Sequence, residues 1–258
     1  MASLLLQCCF FLFAYLSMIQ ICLGNTNTVG NVKLDLYYES LCPFSAKFIM
    51  SKLPVIFENG LMDIVDLRLF PWGNAKLASN NSITCQHGPK ECLLNTVEAC
   101  AIYAWPNVDV HVPFITCVES QASAGKYKEW KACFQELGLD PEPVNTCYKG
   151  EGGKQLELIY ANLTASLKPP HVYVPWVVVD GKPLEDDYEN FISHICKAYK
   201  GIPPTACVKT SLASALKGGV HALPLSDKEN KPQRPRSNEN LVLRSVMDGL
   251  DYINPAVM

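Results

Sequence analysis

The sequence predicts an α/β fold interrupted by a disulfide-rich helical insertion. Three observations carry that prediction. Apolar residues alternate along Val32-Lys33-Leu34-Asp35-Leu36-Tyr37-Tyr38, and a continuous β-rich run returns at Trp176 to Val179. Between them, six cysteines (Cys85, Cys92, Cys100, Cys117, Cys133, Cys147) fall among helical patterns. The third is Cys42, which stands where the first strand hands over to a helix, followed by Pro43.

The chain has 258 residues, enough for one large domain or two small ones, each able to bury a core. Its net charge of −3 gives no electrostatic case for nucleic acid. Met1 to Leu23 is almost wholly apolar, and Cys22 and Gly24 put small residues at the −3 and −1 positions of a cut before Asn25. Residues 1–24 are therefore expected to be a secretory signal peptide, with no membrane association after its removal. Secretion implies an oxidising compartment, in which cysteines pair. Of the 12 cysteines, Cys8, Cys9 and Cys22 leave with the signal, so 12 − 3 = 9 remain. An odd number leaves one thiol without an intramolecular partner, and Cys42 is the natural candidate. Asn80-Asn81-Ser82 and Asn162-Leu163-Thr164 are glycosylation sequons at Asn80 and Asn162, in keeping with the same route.

In chain order, the strand from Val32 is followed by a helix through Ala46 to Leu53, which ends in the stretch Pro54 to Gly60. A second strand over Asp63 to Leu69 completes a right-handed parallel βαβ unit. Helices are expected over Glu91–Ala104, Pro113–Ser120, Lys126–Leu137 and Lys154–Leu167, the insertion itself covering about 80–150. After Pro169-Pro170 comes the strand Trp176 to Val179, closed by the hairpin signal Asp180-Gly181. A last helix is expected over Glu185–Lys200, with Cys196 and Cys207 pairing as a local staple. The main domain thus spans 30–207, and 208–258, polar and proline-containing, is expected to be a disordered tail open to processing.

A sulfur at the start of a helix meets unpaired N–H groups and the positive end of the helix dipole, which favour thiolate. This is the layout of a thiol–disulfide site, with Ser45 where a second cysteine would stand. Glu39 lies close upstream, where a solvated carboxylate is expected to have a muted effect. The element order resembles the thioredoxin fold with a helical insert. In that fold a cis-proline loop faces the reactive sulfur, and Val174-Pro175 occupies the matching place, offering backbone groups to an extended substrate. His171, in the same loop, could approach Cys42 or be a plain loop histidine.

One motif is far more specific. Cys85-Gln86-His87-Gly88-Pro89-Lys90-Glu91-Cys92-Leu93-Leu94-Asn95-Thr96-Val97-Glu98-Ala99-Cys100 fits C-Q-H-G-x-x-E-C-x-x-N-x-x-x-x-C at every fixed position: Cys85, Gln86, His87, Gly88, Glu91, Cys92, Asn95 and Cys100. That signature is shared with the gamma-interferon-inducible lysosomal thiol reductase family, which this chain resembles from about Val32 to Cys207. The likeness includes Tyr173-Val174-Pro175-Trp176 and Asp180-Gly181-Lys182-Pro183-Leu184. It implies a soluble glycoprotein of the secretory or lysosomal route, secreted or held in a lysosome or vacuole. The implied reaction is reduction of protein disulfides, best at acidic pH, with removable segments at both ends. His87 is expected to have a structural hydrogen-bonding role. Zinc binding by Cys85, His87, Cys92 and Cys100 is the weaker reading of the same residues, because an oxidising compartment favours disulfides, and no metal is expected.

The departure is Ser45. Full reductases of the family carry C-x-x-C, whose second cysteine resolves the mixed disulfide formed by the first. Ser45 can hydrogen-bond to a Cys42 thiolate but cannot resolve it. Turnover then needs no cofactor beyond an external thiol, such as glutathione or cysteine, or a second cysteine of the protein substrate. The leading expectation is therefore a monothiol reductase or isomerase with Cys42 as nucleophile. Its rivals are a client-trapping protein that has lost turnover and a saposin-like lipid-binding module built on the six-cysteine region.

Overall fold

The computed structural model describes residues 30–210; the expected signal peptide and the tail from 211 lie outside the described residues. A four-stranded sheet in the order β2-β1-β5-β6 forms the centre. β1 (Val32–Tyr38) pairs in parallel with β2 (Val65–Pro71), from Val32 against Val65 to Tyr38 against Pro71. β5 (Trp176–Val179) runs antiparallel on the other side of β1, and β6 (Lys182–Pro183) returns beside it through the Asp180-Gly181 turn. Between β1 and β2 lie α1 (Pro43–Ser51), α2 (Pro54–Glu58) and a 3-10 turn at Leu61–Ile64. This is the predicted thioredoxin-like arrangement, a βαβ unit joined edge-on to an antiparallel hairpin.

The alternation in β1 sorts its side chains onto two cores. Leu34, Leu36 and Tyr38 face α1, through Phe48 and Ile49, and α8 (Phe191–Ala198), through Phe191 and Ile195. Tyr37 points to the opposite face with Phe70, Trp176 and Val178, where the helical insertion covers the sheet. Tyr37 and Phe70 stack across the parallel pair with ring centroids 4.3 Å apart. Both faces are therefore buried, which is why β5 is apolar at every position. The insertion shares one core with the sheet face, so its six cysteines do not frame a lipid-binding module of their own.

The insertion begins with a short hairpin, β3 (Lys76–Leu77) and β4 (Ile83–Thr84), followed by α3 (Pro89–Ala104) and α4 (Val108–Ser123). α5 (Ala132–Leu137), α6 (Glu142–Lys149) and α7 (Glu151–Ala165) complete it. Several boundaries differ from the periodicity for local reasons. α4 starts five residues before Pro113 because Asn107 caps it, its side chain accepting from the Asp109 N–H at 3.0 Å. Only the last part of the expected Lys126–Leu137 helix is α-helical, since 126–131 forms successive turns. α6 was not anticipated; Asp140-Pro141-Glu142 is its start signal, with Asp140 Oδ1 accepting from Glu142 N–H at 3.0 Å. α7 begins earlier than Lys154 despite Gly152 and Gly153, weak helix formers, the second of which is needed for close packing. A Cβ on Gly153 would lie 2.8 Å from Thr96 Cγ2 and 2.9 Å from the Cys147 carbonyl. The expected last helix divides into a 3-10 segment, Glu185–Asn190, and α8. Residues 205–210 are helical, so the fold runs slightly past the expected boundary at 207.

Of the fifteen possible pairings of the six insertion cysteines, the structure forms Cys85–Cys92, Cys100–Cys147 and Cys117–Cys133. The second ties α3 to α6 and the third ties α4 to α5. Cys196–Cys207 forms the expected staple after α8. With Cys85, Cys92 and Cys100 in disulfides, the zinc reading loses its ligands. Cys42 is the one free cysteine among the described residues.

Candidate active site

Cys42 is the N-cap of α1, with Pro43 at the first helical position. Its Sγ donates to the carbonyl of Val174 at 3.8 Å, so the loop before β5 meets the sulfur directly. The Val174–Pro175 bond is cis, as is Lys168–Pro169, which was not foreseen. Cys42 is only 7% exposed, whereas Phe44 is 63% and Val172 76% exposed. Two solvent-facing apolar side chains thus lie on the segments that flank a recessed sulfur. Ser45 is fully buried, and its hydroxyl has no hydrogen-bond partner. The bond to Cys42 open to it from the sequence is not made. His171 is half-buried and faces the backbone of Gly73; burial pushes its pKa down.

The turn that delivers Cys42 is held from the insertion. Leu41 has φ of 66°, a left-handed conformation that costs a β-carbon residue about 1–2 kcal/mol. Its neighbour Ser40 is fully buried, donating its N–H to Asn95 Oδ1 at 2.8 Å and its hydroxyl to Glu98 Oε1 at 3.1 Å. Glu39 is also fully buried, contrary to the solvated carboxylate expected there. It turns away from solvent because Asn74 donates its N–H at 2.6 Å and its side-chain amide at 3.4 Å, in the loop after β2. That loop can approach so closely because residue 73 is glycine at φ 57°: a Cβ there would lie 2.4 Å from Glu39 Oε2.

The signature residues converge on this turn. Glu91, fully buried, accepts from the backbone N–H groups of Gln86 and His87 at 3.0 and 2.9 Å, and pairs with the His87 ring. His87 Nδ1 also lies 3.6 Å from Glu39 Oε1, while Gln86 accepts from the Asn74 amide at 2.7 Å. His87 therefore has the expected hydrogen-bonding role, and Asn95 reaches Ser40 from the next turn of α3. Glu39, His87 and Glu91 present ligand atoms within 4.8 Å of one another. Both carboxylates already accept bonds from backbone or side-chain donors, so these contacts account for the cluster without a cation. Asn80 and Asn162 are both exposed, as a glycan would require.

Sequence reasoning missed Ser40 and Asn74 as parts of the site and the buried carboxyls Glu98 and Glu119 behind it, and it misjudged the setting of Glu39. Glu98 and Glu119 are wholly buried on α3 and α4, and Glu157 is buried on α7. Their available signal was an acidic residue on the apolar stripe of a predicted helix. Burial pushes all three carboxyls upward, Glu157 to about 8. In the unfolded chain the same groups ionise at ordinary carboxylate pH. Between the two ranges the folded state binds more protons, so stability falls as pH rises from about 5 towards 8. Chemical denaturation is accordingly expected to give a higher midpoint at pH 5 than at pH 8. Glu157→Gln is expected to flatten that dependence.

A recessed thiol at a helix start, facing a cis-proline loop on a thioredoxin-like sheet, defines a thiol–disulfide oxidoreductase. The family model "Gamma interferon inducible lysosomal thiol reductase (GILT)" matches residues 33–137. Among relatives, the Arabidopsis thaliana "Gamma-interferon-responsive lysosomal thiol protein" is 47% identical over 191 residues, covering 73% of this chain and 79% of that protein. The Mus musculus "Gamma-interferon-inducible lysosomal thiol reductase" is 38% identical over 177 residues, covering 66% and 68%. The chain belongs to the gamma-interferon-inducible lysosomal thiol reductase family. Among solved structures, an oxidoreductase, NmDsbA1, from N. meningitidis aligns with a TM-score of 0.45 at 16% identity, over 74% of this chain and 89% of that one.

Proposed function

We propose that the protein reduces or isomerises protein disulfides by a monothiol mechanism with Cys42 as nucleophile. The observation that carries this reading is that Cys42, the free cysteine among the described residues, caps α1 and faces the Val174 carbonyl. Its thiolate attacks one sulfur of a substrate disulfide, the disulfide bond breaks, and the other substrate sulfur leaves as a thiolate that takes a proton from water. Ser45 offers no sulfur to resolve the resulting mixed disulfide. In a reductase cycle a small thiol such as glutathione or cysteine attacks the Cys42 sulfur, which releases the second substrate thiol and leaves Cys42 bonded to the small thiol; a second small thiol then attacks the first one's sulfur, frees Cys42 and leaves as the oxidised disulfide of the two. In isomerisation a second substrate cysteine attacks the bonded substrate sulfur and frees Cys42.

Val174 and Pro175 form the wall against which an extended substrate segment lies, and Phe44 and Val172 supply apolar contact beside the sulfur. Disulfide-bonded proteins are therefore the proposed substrates. Four disulfides in the described residues and carboxyls that favour the fold at low pH support work in the secretory, lysosomal or vacuolar lumen. No helix among the described residues is long and apolar enough to cross a membrane. The test is acid quenching during reaction with a disulfide-bonded protein, followed by peptide mass spectrometry. The expected adduct joins substrate to Cys42; an adduct confined to another cysteine would refute the assignment.

A further inference from the structure

Glu98 and Glu119 have no part in the steps above, yet they lie directly behind the turn that carries Cys42. Each is fully buried, one from α3 and one from α4. Glu98 is joined to the turn through the Ser40 hydroxyl at 3.1 Å, two residues from the sulfur. Glu98 and Glu119 face one another closely enough to share a hydrogen bond, and the Tyr38 hydroxyl faces Glu98 in the same way; beyond these, no donor meets Glu98 Oε2 or either oxygen of Glu119. Glu119 feels the charge of both Glu98 and Cys42. The other titratable groups facing the pair are Tyr38 on β1, which adjoins Glu98 and Glu119, and Tyr160 on α7 behind Tyr38. None of these groups is cationic. An ionised carboxylate in such a place is shielded from bulk solvent and meets no counter-charge.

We propose that Glu98 and Glu119 act as a positioning pair for the reaction, setting the charge behind Cys42: neutral, they leave the sulfur free to be anionic, and ionised, they oppose it. The pair is not a proton acceptor for the thiol, whose proton leaves to water. Burial holds both carboxyls above the ordinary range, and the neighbouring Glu98 pushes Glu119 further up, so the neutral state extends over acidic and neutral pH. The thiolate and an ionised pair exclude one another, which caps the alkaline side of Cys42 reactivity. This inference rests on Cys42 being the reactive sulfur.

The test is the rate of Cys42 alkylation by iodoacetamide between pH 5 and pH 9, which requires no turnover. Glu98→Gln/Glu119→Gln is expected to react like the unaltered protein at pH 5. At pH 9 it is expected to be faster on the order of tenfold, the scale of one partly desolvated charge interaction. An equal ratio at both pH values would reduce the pair to a structural role and overturn the proposal. If the double variant does not fold, Glu119→Gln alone is read in the same way. In the unaltered protein, infrared difference spectra on raising the pH are expected to show loss of a protonated carboxyl band, at lower pH once Cys42 is alkylated than before. A band already absent at pH 6 would also overturn the proposal. Failure of Cys42 to alkylate at any pH would instead sink the proposed nucleophile, so the two readings fail separately.

Discussion

Cys42→Ala is expected to reduce turnover of a disulfide-bonded reporter, with glutathione as donor, to the rate of glutathione alone. The effect is the largest foreseen for any single substitution because no other sulfur among the described cysteines is free. It should come with little loss of stability. The side chain removed is small, and the one bond lost is a weak S–H contact to the Val174 carbonyl at 3.8 Å. Parallel denaturation curves for the two proteins check this second point. An unchanged turnover rate would place the chemistry elsewhere, and a lost rate with a lost fold would leave Cys42→Ser as the variant to measure.

Ser45→Cys is expected to act in the opposite direction, raising turnover with a dithiol donor by tenfold or more and making it far less dependent on a monothiol. Position 45 lies in the first turn of α1, three residues after Cys42, the spacing at which a second thiol can attack a mixed disulfide. The site also tolerates the exchange. The Ser45 hydroxyl is buried without a partner, so its replacement forfeits no hydrogen bond, and a thiol suits an apolar environment better. A disulfide between Cys42 and the introduced thiol in the oxidised variant, detected by mass, is the accompanying signature. Steady-state rates with dithiol and monothiol donors compare the two proteins directly.

Much of this site is legible in the sequence. Local alternation fixed β1, the apolar run fixed β5, and the odd cysteine count singled out Cys42, since each signal depends only on neighbouring residues or on arithmetic. The signature spacing was equally visible, but what it does was not. Asn95 and Glu91 sit one turn apart on α3, and nothing in that spacing says that one reaches back to Ser40 and the other to His87. Such contacts are set by how α3 packs against the end of β1. Glu39 shows the same limit in reverse: a carboxylate near a reactive thiol looked solvated, and only the Gly73-Asn74 loop reveals that it is enclosed. The insertion helices were legible where apolar stripes were long, in α3, and were misplaced where a cap or a glycine pair governed the start, as in α4 and α7.

The monothiol cycle is tested most directly by measuring turnover of a disulfide-bonded protein substrate as glutathione is varied from zero. The substrate should carry a single disulfide and no spare cysteine. Without glutathione, one equivalent of substrate is expected to be captured on Cys42 and the reaction to stop. With it, the rate should rise in proportion to thiol concentration, above the uncatalysed rate. Capture without any turnover at saturating glutathione would contradict the enzymatic account and describe a trap, and repeated turnover with no external thiol would contradict the monothiol mechanism.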